Sequence, residues 1–373
     1  MISHIPNELW DRIIDFLHNE PAALRSSSLT CRDWVAASQF HLFPSTVDLR
    51  GENTRTRRFE FVMKASPHLT RYIQSLKLDA ASTPWVTLAT VELPRVTELL
   101  LDGLSCKLPS TTLACTRWLT RLPALRTLIL FRVTFTRSAF LDVISTLPLL
   151  HRLDVVNADV EHWDEERHTP PHQFTSALQE LHLSGFGTAE ILGTLAELCA
   201  NAGIQLTELH SGSCETAADL LALNEIMRLN PSLRHLEVYL LYSAEDAGPL
   251  DLSRNMALEG LVVELEMVSA SVDALMGVAE SLEQIAFPHL QNIHIVLNLF
   301  SSRSDIWTAK WWKMLGDVLK DPCFDKLEVL DITFHGHKPP EVVPEEDLST
   351  LATKQLDFLS KRGVEISLES DGT

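Results

Sequence analysis

Basic residues are scarce: 31 Lys and Arg stand against 50 Asp and Glu, a formal net charge of -19 over 373 residues. A surface of that sign repels phosphate backbones and anionic headgroups, so neither a nucleic-acid nor a membrane partner is expected, and basic partners are favoured. Cysteine is sparse as well. Cys31, Cys106, Cys115, Cys199, Cys214 and Cys323 form no C-x-x-C pair and no short, even framework, which points to reduced thiols and a cytoplasmic or nuclear location. Long apolar runs are missing: the richest window, Ile191 to Leu206, is broken by Glu197, short of the ~18 uncharged apolar residues of a membrane span. The opening MISHIPNELWDRIIDFL has no cationic region before a continuous apolar core, so no signal peptide is expected. Glycine (14) and proline (18) are too few for a low-complexity chain, and 45% hydrophobic residues against 22% charged describe an ordered protein.

Signatures of chemistry are absent too. There is no G-x-S-x-G elbow, no P-loop, no G-x-G-x-x-G after a strand and no H-E-x-x-H. His335 with His337, and His168 with His172, lack a second close pair of Cys or His, so no metal and no cofactor are expected. The chain is not expected to be an enzyme.

What is present is a repeat. Leu, two variable residues, then apolar-x-apolar recurs as Leu125/Leu128/Leu130, Leu150/Leu153/Val155, Leu178/Leu181/Leu183, Leu233/Leu236/Val238 and Leu258/Leu261/Val263. Weaker copies centre on Leu76, Leu99, Leu209, Ile293 and Leu330. Most spacings between these anchors fall within the roughly 20 to 29 residues of a leucine-rich unit, and the last two need insertions. Helix-like segments lie between, among them Thr188 to Asn201, Thr216 to Leu229 and Ser269 to Ile285. A short strand cannot bury its leucines alone, so the units are expected to stack, strands forming one parallel sheet and helices the outer layer.

Over residues 70 to 335 this pattern resembles the leucine-rich repeat family, whose fold is a curved solenoid with its sheet on the concave side. The family's Asn or Cys after each strand is matched only by Cys214 and Asn298. The stretch with Trp163, Asp164, Glu165, Glu166, Pro170 and Pro171 reads as an inserted loop.

Strand side chains alternate, so residues between the buried anchors must point the other way. That column reads Lys77, Leu100, Ile129, Asp154, His182, His210, Glu237, Val262, His294 and Asp331. Leu100 and Ile129, with Phe131 and Val156, would make an apolar patch, and Asp154 and Glu237 would select basic side chains around it. These six are the candidate substrate-binding residues. Either a partner contacts the patch or another segment of this chain covers it. His182 and His210 would sit on adjacent strands, either pH-sensitive together or simply solvated.

Residues 5 to 43 do not carry the repeat and read as three short helices. On a helical wheel Leu9, Trp10, Ile13, Ile14, Phe16 and Leu17 fill an arc of roughly 160°, more than one packing contact needs. A unit of about 40 residues is also too small to be secure alone, which calls for a partner on the surplus face.

The same residues closely resemble the F-box family: Ile5-Pro6, Glu8-Leu9, Ile13-Ile14, Phe16-Leu17, Leu24, Leu29 and Cys31-Arg32-Asp33-Trp34 stand in its order, with Ile5 where Leu is commoner. The stretch Asn19 to Leu24 is similar to fungal members with irregular repeats downstream. The resemblance implies a Skp-type adaptor as partner and, through it, the cullin and RING subunits of an SCF ubiquitin ligase. It also implies adaptor contacts at Ile5, Pro6, Leu9, Ile13, Ile14, Leu17, Leu29, Cys31 and Trp34, unless these are the core of a helical cap on the repeats.

The expected fold class is therefore α/β: an N-terminal three-helix F-box at 1–48, a helical linker at 49–70, an irregular leucine-rich-repeat solenoid with a parallel sheet and outer helices at 71–368, and a disordered tail at 369–373. The expected function is recruitment of a protein substrate to the ligase. The rival is a repeat scaffold that binds proteins without directing ubiquitin transfer.

Overall fold

The computed structural model describes residues 7–42, 45–51, 53–81, 88, 90–161, 177–185, 188–242, 249–267, 272–299, 309–336 and 345–371. Ile5, Pro6, His168, His172, His337 and the expected insertion from Trp163 to Pro171 lie outside them.

Three helices open the chain: α1 (Asn7–Asp15), α2 (Pro21–Thr30) and α3 (Arg32–Leu42). Pro21 sits in the first turn of α2, where its missing N–H costs no hydrogen bond. Cys31 is extended and breaks α2 from α3. Ile14 and Leu24 are buried between the helices, and the indoles of Trp10 and Trp34 lie 4.6 Å apart. His41 Nε2 stands 2.7 Å from Asp15 Oδ1, tying the end of α3 to the end of α1.

The rest is one long parallel sheet with helices packed on one face. In chain order the elements are β1 (Thr46–Asp48), α4 (Asn53–Ala65), β2 (Ser75–Asp79), β3 (Glu98–Asp102), β4 (Ser105–Cys106), α5 (Pro109–Leu119), β5 (Thr127–Phe131), β6 (Thr134–Thr136), α6 (Arg137–Ser145), β7 (Arg152–Val156), β8 (Asp159–Glu161), β9 (Glu180–Ser184), α7 (Thr188–Ala202), β10 (Glu208–Cys214) and α8 (Ala217–Leu229). They continue with β11 (His235–Tyr242), β12 (Gly260–Met267), α9 (Val272–Glu283), β13 (Asn292–Leu299), α10 (Ala309–Val318), β14 (Val329–Gly336), α11 (Glu345–Lys361) and β15 (Glu365–Asp371). Among the described residues, twelve strands pair in the order β1-β2-β3-β5-β7-β9-β10-β11-β12-β13-β14-β15, and β4, β6 and β8 form a small second sheet. This mixed α/β architecture, strand and helix alternating along a parallel sheet, is consistent with a leucine-rich-repeat-like fold.

The anchors align as their spacing requires: Leu76, Leu99, Leu128, Leu153, Leu181, Leu209, Leu236, Leu261, Ile293 and Leu330 are successive register partners. All are buried in one core with Trp118, Phe135, Phe140, Trp311, Trp312 and Phe324. The backbone turns sharply after β3, β5, β7 and β9, where Gly103, Arg132, Asn157 and Gly185 all have positive φ. At Gly185 a Cβ would lie 2.1 Å from Asn157 Oδ1, so the turn requires glycine.

The expected asparagine position after each strand is mostly empty, and other buried asparagines join neighbouring turns. Asn230 Oδ1 accepts from the Leu206 N–H at 2.7 Å while its Nδ2 donates to Ile226 O. Asn255 Nδ2 donates to Met227 O and Asn230 O, both at 3.0 Å.

Three expected boundaries shift. The sheet begins at Thr46, inside the expected 1–48 unit, because Val47 pairs with Leu76. The expected linker at 49–70 is part of the repeat body: α4 is an outer helix whose Phe59 and Met63 join the common core, as does Leu69. At the other end β15 pairs with β14 as far as Asp371, so residues 369–371 belong to the sheet rather than to a tail. The six cysteines are unbridged, all but Cys31 buried, and no helix among the described residues is long and apolar enough to cross a membrane.

Candidate functional site

Two surfaces are candidates. The first is on the three-helix unit, where the apolar arc of α1 divides. Leu9, Ile13 and Phe16 recur at i, i+4 and i+7 and stand 50%, 47% and 82% exposed. Leu29, at the end of α2, is 88% exposed. Ile14, an expected adaptor contact, is instead turned inward at 2% exposure. Leu17, Cys31 and Trp34 are half-buried, Trp34 against Trp10. Phe16 was not among the expected contacts, yet, in the turn just past the end of α1, it is the most exposed side chain continuing that face; its i+3 spacing from Ile13 was the available signal.

The second surface is the open face of the sheet. Its central column is Asp48, Lys77, Leu100, Ile129, Asp154, His182, His210, Glu237, Val262, His294, Asp331 and Ser367, each the register partner of the next. Leu100 and Ile129 are therefore neighbours, and Phe131 pairs with Val156. All four are half-buried. The patch has a charged border: Arg132 makes a bidentate pair with the buried Asp102, Nε donating to Oδ1 at 2.9 Å and Nη2 to Oδ2 at 2.8 Å, while its guanidinium lies 5.1 Å from the Phe131 ring centre.

The two acids assigned to basic side chains already have partners. Arg152 Nε donates to Asp154 Oδ1 at 2.9 Å from the same strand, and Glu237 Oε2 lies 2.8 Å from His210 Nδ1. Glu237 is also three strand spacings from Asp154, about 14 Å, and does not border the apolar patch. The sequence reading overlooked the same-face neighbour two residues along a strand.

That neighbour also builds a cluster around the two histidines. The strands place Glu180 and His182 on β9, Glu208 and His210 on β10, and His235 and Glu237 on β11 in direct register. The rings of His182 and His210 stack at 3.9 Å, inclined by 18°. Glu208 Oε1 lies 2.7 Å from His210 Nε2 and 3.4 Å from His182 Nε2. Ligating atoms of His182, Glu208 and His210 thus fall within 4.8 Å of one another. Burial, then the positive charges of His210 and Arg152, lower the pKa of His182 against the pull of Asp154 and Glu208. For Glu208 burial acts upward, but the His210 hydrogen bond and the charges of His210, His182 and His235 outweigh it and hold the carboxyl below its ordinary value. An open groove of about 570 Å³ runs from Glu208 and His210 past Glu237 and Val262 to His294 and Asp331. The repeated Glu-Leu-His of 180–182 and 208–210 was the sequence signal for the cluster.

No family model matches the chain, and no curated protein matches it. Among solved structures it is similar to an internalin-like protein of Listeria monocytogenes, with a TM-score of 0.27 and 9% identity, over 79% of this chain and 73% of that one.

Proposed function

We propose that the chain is the substrate-recognition subunit of an SCF-type ubiquitin ligase, holding a Skp-type adaptor with its three-helix unit and a protein substrate with its repeat sheet. The observation that carries this reading is the stripe of Leu9, Ile13 and Phe16, with Leu29, standing exposed on a unit whose sequence resembles an F-box. Side chains of that size left in water at helical spacing favour a helical partner that buries them. Ile5 and Pro6 belong to the same motif. Ile14, Leu24 and the Trp10–Trp34 contact hold the face in shape from within.

In this account the chain performs no bond chemistry. It supplies proximity, converting an encounter between substrate and ubiquitin-charged enzyme into an effectively intramolecular reaction. The half-buried patch of Leu100, Ile129, Phe131 and Val156 and the acidic, histidine-bearing groove are the surfaces offered to substrate. Six unbridged cysteines suit a cytoplasmic or nuclear setting.

The test is co-purification of the full chain with a Skp-type adaptor and cullin, alongside Ile13→Asp and Phe16→Asp. A stoichiometric complex that both variants lose supports the reading. Folded wild-type protein that ignores the adaptor overturns it. Adaptor binding without cullin-dependent turnover of any bound protein favours a non-degradative scaffold.

A further inference from the structure

Parallel strands lie about 4.8 Å apart, so identical positions on neighbouring repeats form a row of side chains too close to be independent. On β9 and β10 that row is two imidazoles, with a carboxylate two residues before each. An ordinary charge network accounts for part of the cluster. Glu208 Oε1 pairs with His210 Nε2, and Glu237 Oε2 lies 2.8 Å from His210 Nδ1. It serves His182 less well: Nε2 is shielded from solvent and makes no hydrogen bond, with Glu208 Oε1 standing off at 3.4 Å. A shielded ring nitrogen without a partner is costly, and one that converges with a second imidazole and a carboxylate has a specific remedy.

We propose that His182, His210 and Glu208 bind a divalent transition-metal ion, zinc by its donor set. Two imidazole nitrogens and one carboxylate oxygen are the ligands of open-position zinc sites, whereas magnesium and calcium prefer oxygen alone. Ligands at about 2.0 to 2.2 Å around a tetrahedral ion stand about 3.3 to 3.6 Å apart. The 3.4 Å between Glu208 Oε1 and His182 Nε2 falls in that range, while the 2.7 Å to His210 Nε2 is a hydrogen-bond distance that must lengthen when an ion enters. Glu237 occupies the outer position common in such sites, a carboxylate on the far nitrogen that orients the ring. Because the cluster opens onto the groove, the fourth position is available to water or to a donor atom of a bound protein.

The experiment is calorimetric titration of the chelator-treated full chain with zinc chloride, paralleled by cobalt(II) absorption, on wild type, His182→Gln, Glu208→Gln and His294→Gln. One equivalent of zinc and a tetrahedral cobalt spectrum are expected. Affinity should fall by roughly tenfold or more in both cluster variants and remain unchanged in His294→Gln, which alters the same face outside the cluster. The cluster side chains sit on the solvent side of the sheet, and melting curves verify that each variant is folded. Absence of saturable binding to wild type, or binding indifferent to both cluster variants, overturns the proposal. Neither result bears on adaptor binding, which uses a different surface.

Discussion

The imidazoles of His182 and His210 stack face to face across β9 and β10, centroids 3.9 Å apart, with Glu208 reaching both. Their stacking follows from the parallel register of the two strands.

His182 has a folded pKa below its ordinary 6.5, chiefly through burial. The unfolded chain therefore takes up the proton first, and the associated stability is full above pH 6.5 and is lost as pH falls toward the folded value. Urea melts at pH 7.5 and about pH 5.5 should show wild type losing stability on acidification and His182→Gln losing less. Equal losses would contradict the assignment.

Ile13 and Ile14 are adjacent in sequence and opposite in role. Ile14→Ala removes a side chain that is 2% exposed and should cost about 2 to 5 kcal/mol. Ile13→Ala, on the exposed stripe, should change stability by only about 0.5 kcal/mol while weakening adaptor capture. Circular-dichroism melts and adaptor binding separate the two effects.

Cys31 is the only half-buried thiol of the six. Burial pushes Cys214 up to about 11 and Cys323 up to about 12, so both resist alkylation at neutral pH. Iodoacetamide labelling read by mass spectrometry should modify Cys31 first, and a bound adaptor should protect it.

Much of the fold was legible because alternation leaves little freedom: once the anchors from Leu76 to Leu330 were aligned, the open-face column followed residue by residue. The ends were harder to read. β1 carries one inward apolar residue, Val47, and lies beside the three-helix unit, so pattern alone gave no reason to place it in the sheet. β15 closes on Glu369, Ser370 and Asp371, a polar ending that looks like a tail until β14 supplies its hydrogen-bonding edge. On the site, the helical wheel found the apolar arc of α1 but could not divide it, since packing by α2 and α3 decides that Ile14 goes inward and Phe16 outward. Asp154 and Glu237 were read as free acids because the arginine and histidine that engage them lie on the same strand or the next one, contacts set by register.

Asn230 replaces the missing asparagine ladder between two turns. Asn230→Ala leaves the buried Leu206 N–H without its acceptor, a loss of about 1 to 3 kcal/mol. Hydrogen exchange should locate the loosening at Leu206 and the adjoining strand β10, and unchanged protection there would contradict the role.

The central claim is that the exposed stripe of α1 is an adaptor-binding face. Its most direct measurement is calorimetric titration of the full chain with a purified Skp-type adaptor, comparing wild type with Phe16→Asp. The account predicts one-to-one binding by wild type and a loss of at least about tenfold in the variant, about 1.4 kcal/mol, with the melting curve unchanged. Equal affinities for the two proteins, or no binding by folded wild type, would contradict it.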